Sequence, residues 1–136
     1  MMKLCDETVT VFNKRIDGDT GDYAWYPTII SGVSWFCRIE ATINDGLKAA
    51  NEFIIRIPVD ADFSMKEYVD PIAYGNAASV DGIFTLANGD IIIKAAVDQP
   101  MAPARLKEQY SDFCTILGVT DNRRAPNAKH WRVVGA

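Results

Sequence analysis

Between residues 88 and 97 the chain reads Asn-Gly-Asp-Ile-Ile-Ile-Lys-Ala-Ala-Val, a turn signal running straight into β-branched residues. An Asn-Gly pair suits the left-handed backbone of a tight turn. Three consecutive isoleucines suit a strand with apolar surroundings on both faces. The run is too short for an ordinary helix, so a buried strand organises the fold. Pro100 and Pro103 stop it, because proline has no amide hydrogen to give a ladder. Its expected neighbours are the apolar segments 52–58 and 114–120. Residues 84–86 lead into the Asn88-Gly89 turn, so 83–97 reads as a hairpin.

Polar and apolar alternation marks the other strands. Thr8-Val-Thr-Val-Phe-Asn13 puts Val9 and Val11 on one face, and residues 14–23, with Asp17-Gly18 and Thr20-Gly21, form an exposed hairpin-like loop. A second strand runs from Trp25 to Ile39, broken or bulged at Gly32, with Val33, Trp35, Cys37 and Ile39 on one face. A polar connection over 44–51 precedes the third strand, 52–58, where Phe53, Ile55 and Ile57 point opposite to Ile54 and Arg56. Residues 114–120 and 129–134 make a terminal hairpin about the polar turn 121–126. Only 103–113 has helical spacing, with Pro103 in its first turn and Leu106, Tyr110 and Phe113 on one face. Residues 59–80 lack any period yet carry Phe63, Tyr68, Pro71 and Tyr74. They read as a long loop, mobile in a lone subunit and ordered on assembly. The expected fold is mainly β: a small β-barrel or sandwich with one short helix and a long loop, a single domain over 1–136. Phe53, Ile55, Ile57, Ile92, Leu117 and Val119 are expected in one core.

The chemistry sought in this sequence is mostly missing from it. A chain of 136 residues, 49% of them apolar, suits one core. Fourteen basic against eighteen acidic residues give a net charge of −4, which argues against a general phosphate-neutralising nucleic-acid binder. No apolar run is long enough for a membrane span, and the acidic start lacks a signal-like stretch, so a soluble chain made in a cytoplasm is expected. Cys5, Cys37 and Cys114 are an odd set with no close pair. They read as reduced, with Cys37 and Cys114 packed as small apolar side chains. The single histidine, His130, excludes a multi-histidine metal site and reads as a structural or surface residue rather than a catalytic one. Asp17, Asp19 and Asp22 lack the spacing and closing Glu of a calcium loop. Asp60, Asp62, Glu67 and Asp70 are scattered as hydrated carboxylates usually are. No phosphate loop, nucleophile elbow or zinc-protease motif is present. Hence no catalytic residue, cofactor or metal is assigned, and the chain is not expected to be an enzyme.

One dense basic cluster remains: Arg123 and Arg124 after Asp121-Asn122, then Lys129, His130 and Arg132 around Trp131. It reads either as a contact for phosphate or an acidic partner, or as a turn whose Asp and Asn cap their own backbone while the arginines stay solvated. Tyr68 and Tyr74, like Trp25 and Tyr26, read as core rim or interface, because aromatics and arginine are enriched at protein contacts.

The order of these pieces resembles the small head-closure, head-tail joining or minor capsid proteins of tailed phages and prophages. Thr8-Val-Thr-Val-Phe-Asn-Lys14, Tyr26-Pro-Thr-Ile-Ile-Ser-Gly-Val-Ser-Trp35, Gly89-Asp-Ile-Ile-Ile93, Leu117-Gly-Val-Thr-Asp-Asn-Arg-Arg124 and Lys129-His-Trp-Arg-Val-Val134 carry the resemblance. It implies a structural virion protein made in the bacterial host cytoplasm and placed in the neck of the particle. Such a barrel forms a homo-oligomeric ring between portal and adaptor on the head side and tail-terminator or tail-tube proteins on the tail side. Contact with packaged DNA belongs to the same expectation. The interface residues expected are Arg123, Arg124, Lys129, Trp131, Arg132, Tyr68 and Tyr74. A tail-terminator or tail-completion ring, or a host-facing binding module, is the alternative.

Overall fold

The computed structural model describes residues 5–16, 19, 21–42 and 48–136, the side chains of 39–42 and 48–51 excepted. Along the chain come β1 (Glu7–Ile16), β2 (Tyr23–Thr42), β3 (Lys48–Pro58), β4 (Glu67–Tyr68), α1 (Pro71–Asn76), β5 (Ile83–Phe84), β6 (Ile91–Ile93), α2 (Pro103–Gln109), β7 (Phe113–Asp121) and β8 (His130–Gly135). The fold is mainly β. Six strands close a barrel in the order β1-β2-β3-β8-β7-β6, each neighbour antiparallel to the next. Closure removes the exposed edges that an open sheet of this size would leave.

Alternation works as expected along β1 and β3. Val9, Val11, Phe53, Ile55 and Ile57 all enter the barrel core with Ile92, Ile116 and Val133. β6 is buried on both faces. Ile92 points into the barrel, while Ile91 and Ile93 pack outside it with Phe12 and Leu106 in a second cluster beneath α2. Gly32 is the expected bulge: the register slips between Glu7 opposite Val33 and Thr8 opposite Ser31, and Gly32 takes φ +91°, a conformation only glycine adopts cheaply.

Several expectations fail in part or in whole. Of the two expected neighbours of β6, 114–120 does pair with it as β7, but the other side is taken by β1, and 52–58 pairs with β2 and β8 instead. Residues 83–97 make no hairpin, because Ile83 and Phe84 run parallel to Glu67 and Tyr68 in a separate two-stranded sheet. Residues 59–80 are not a bare loop. They hold β4 and a second helix, α1, capped by the Asp70 carboxylate on the Ala73 amide with Pro71 at its start. Leu117 is 57% exposed, since a register shift between Ile116 and Gly118 flips it outward; Ile116 fills the core place and Val119 packs at its edge. Cys37 is exposed rather than packed, while Cys5 and Cys114 are buried. The helix expected over 103–113 ends at Gln109, and Phe113 opens β7 instead. β3 begins at Lys48, inside the expected connection 44–51, whose residues 44–47 lie outside the described residues, as do Asp17 and Gly18.

Candidate functional site

The segment after β3 folds back across one mouth of the barrel. Backbone bonds of 2.9 Å in each direction join Ser31 and Asp62, the Ser64 hydroxyl donates to the Ile29 carbonyl at 2.6 Å, and the Lys66 ammonium donates to the Pro27 carbonyl at 2.7 Å. So strapped to β2, the segment delivers Phe63 and Tyr68 into the mouth. Phe63 stacks on Phe84 with centroids 5.2 Å apart and meets Trp131 edge-on at 6.0 Å; Tyr68 lies 4.7 Å from Trp131. Such pairs add about 0.5–1.5 kcal/mol each beyond the area they bury.

Arg123 closes this aromatic plug. Its guanidinium forks onto the Asp121 carboxylate, with Nε at 2.9 and 3.0 Å and Nη2 at 2.6 Å, and lies 5.1 Å from the rings of both Tyr68 and Trp131. The Asp121 carboxylate also accepts the Arg123 amide, as an Asx turn does. The fork holds the Asp121 carboxyl below its ordinary range and lifts Arg123 in return, while burial pushes the Tyr68 phenol up against the opposing Arg123 charge.

The expected interface residues therefore separate. Arg123, Trp131 and Tyr68 come together, but as a plug. Trp131 is 4% exposed and points inward, and its buried indole N–H has no partner among the described residues. Tyr74, on α1, is 3% exposed and buried at another site. Arg124 and Lys129 stand exposed on the turn, and Arg132 lies on the outer wall of β8. His130 is structural in its contacts, with Nδ1 2.6 Å from the Ala128 carbonyl and Nε2 3.3 Å from Asn122.

A second polar constellation was not singled out from the sequence. Asp90 is 1% exposed at the end of the Asn88-Gly89 turn. Its Oδ2 accepts from Asn13 Nδ2 at 2.8 Å and its Oδ1 from the Lys14 amide at 3.1 Å; Asn13 in turn donates to the Thr85 carbonyl at 2.7 Å and accepts the Thr85 amide at 3.2 Å. Burial raises the Asp90 carboxyl to about 6 despite those bonds. Burial also pushes the Tyr74 phenol up, with the Asp90 charge adding to it. Both line a cleft of about 340 Å³ together with Lys14, Tyr23 and Thr85. The visible signal was an acid directly after an Asn-Gly turn and before a fully buried strand. Among the described residues no group of three or more His, Cys, Asp or Glu side chains is arranged to hold a metal ion. No helix among them is long and apolar enough to cross a membrane.

The model of DUF6751, a family of unknown function, matches residues 4–136. The chain belongs to this family. The match takes in all six barrel strands, the plug and the Asp90 network, so these are parts of one DUF6751 unit. No curated protein and no solved structure matches the chain.

Proposed function

We propose that the chain is a structural virion protein of the phage head-tail connector, a head-closure subunit that assembles as a ring between portal and adaptor on one side and the tail on the other. The observation that carries this reading is the hairpin of β2 and β3. β1 accompanies β2 only as far as Val33, and β8 accompanies β3 only from Phe53 onward. Between them, five residue pairs from Arg38 opposite Glu52 to Thr42 opposite Lys48 form a ribbon with no third strand among the described residues. A two-stranded ribbon is marginal alone in water, and its open edges are templates for a neighbouring chain. An assembling subunit supplies that neighbour. The order of sequence motifs supports the phage assignment, and the barrel supports a scaffold role in which no reaction is needed.

The test deletes the gene from its prophage or phage and follows particle assembly. Heads that fill and then lose DNA, with the chain found as a ring at the neck of wild-type particles, are the expected result. Particles that retain DNA and join tails normally without the chain refute the reading. Closed, filled heads with defective tails favour the tail-terminator or tail-completion alternative, and intact particles that fail to adsorb favour a host-facing module.

A further inference from the structure

The outer wall over β2, β3, β8 and β7 carries two adjacent rows, one with an unanswered pair of arginines and one flanked by exposed apolar side chains. In the first, the register sets Ser34 opposite Arg56, Arg56 opposite Arg132, and Arg132 opposite Thr120. Like charges directly across a strand pair cost stability. Neither Arg56 nor Arg132 has a salt bridge among the described residues, whereas Arg38 is answered by Glu52 directly across from it. The second row is Phe36, Ile54, Val134 and Gly118, in which Ile54 is already buried within the lone subunit and Val134 is half-buried. At its ends stand Phe36, 51% exposed, and Leu117, thrust out by the bulge in β7.

We propose that this wall is the docking face for a second copy of the chain, whose carboxylates take the Arg56 and Arg132 pair while the exposed Phe36 and Leu117 supply the apolar contacts. Charge favours that occupant: each copy carries eighteen acids against fourteen bases, so a second copy has carboxylates in excess of its own bases. Apolar side chains beside arginine are the composition of protein contacts, and a phosphate backbone gains nothing from Phe36 or Leu117. A carboxylate pair also relieves the repulsion that the barrel tolerates, by forked, charge-assisted bonds. A face that meets a different surface of the next copy generates a ring when its rotation closes. The docking face rests on the connector reading only for the claim that the contact repeats around a ring.

The full chain, studied by mass photometry and sedimentation, is expected to self-associate. Arg56→Glu with Arg132→Glu, and separately Phe36→Ser with Leu117→Ser, should weaken association on the order of tenfold or more. Arg56→Ala serves as the folding control: it should unfold in urea no earlier than wild type, because it removes a like-charge contact. A wild-type chain that stays monomeric, or reversed-charge variants that associate as wild type does, overturns the proposal. So does duplex-DNA binding that falls linearly with log salt and vanishes in Arg56→Ala with Arg132→Ala while association is unchanged, which assigns the arginines to phosphate. Association through this wall without docking on portal and adaptor keeps the docking face and overturns the connector reading. Docking by rings that ignore these substitutions does the reverse.

Discussion

Replacing Asp90 by asparagine should remove a pH dependence of stability whose sign runs opposite to ordinary acid unfolding. Burial lifts this carboxyl from an ordinary 3.8 to about 6, against the hydrogen bonds from the Lys14 amide, the Asn13 side chain and the Ala87 backbone, and against the Lys14 charge. A carboxyl that holds its proton more tightly when folded contributes stability that is fully present below about pH 4 and lost as pH rises through 6. A rise of this size in proton affinity is worth roughly 3 kcal/mol. Asparagine has the same shape and no titration, though its amide faces either Asn13 Nδ2 or the Lys14 N–H, both donors. That conflict is independent of pH, so it displaces the curve without tilting it. Urea unfolding of both chains, followed by tryptophan fluorescence from pH 4 to 8, gives the difference in unfolding free energy. Wild type minus variant should fall by about 2–2.5 kcal/mol between pH 4 and 7, the rest of the loss lying below pH 4, and then level off. A difference that is flat, or that rises with pH, refutes the burial argument. Asp121 has its carboxyl depressed and tilts stability the other way, but it is common to both chains and cancels.

Other substitutions probe the barrel and its plug. Gly135→Ala places a methyl group 2.8 Å from Cys114 Sγ and from the Thr115 carbonyl oxygen, so the β7 and β8 backbones must shift, and overpacking of this kind costs about 1–3 kcal/mol by chemical denaturation; an unchanged urea midpoint would show that the strands give way freely. Ile55→Ala and Ile92→Ala each empty a fully buried site and should cost about 2–5 kcal/mol, and losses below about half a kcal/mol at both would contradict the placement of that core. Arg123→Ala removes two ring contacts and an exposed fork at once; with solvent screening the loss should be about 1 kcal/mol, and a double-mutant cycle with Tyr68→Leu should return a coupling above zero.

Sequence alone was enough to place the six barrel strands, the start of β3 excepted, though not β4. Alternation along β1 and β3, the bulge at Gly32, Pro103 at the start of α2 and the double burial of Ile91, Ile92 and Ile93 are all properties of a few neighbouring residues, and local chemistry decides them. The Asp121 carboxylate on the Arg123 amide was legible for the same reason, since both ends lie within one turn. Which strand lies beside which is a property of closure. β6 lies between β1 and β7 in the closed barrel, and nothing in its own residues distinguishes β1 from β3 as a partner. The phase of β7 depends on a bulge at Gly118; a glycine inside a strand admits a bulge without fixing one, so Leu117 changed faces while Val119 kept its place. Residues 59–80 looked like a loop because their aromatics have no partner in sequence. Phe63 and Tyr68 found Phe84 and Trp131 only once the barrel mouth existed. The pairing of Arg56 with Arg132 is likewise invisible in a linear chain, where they lie far apart, and the register of β3 against β8 alone sets two like charges side by side.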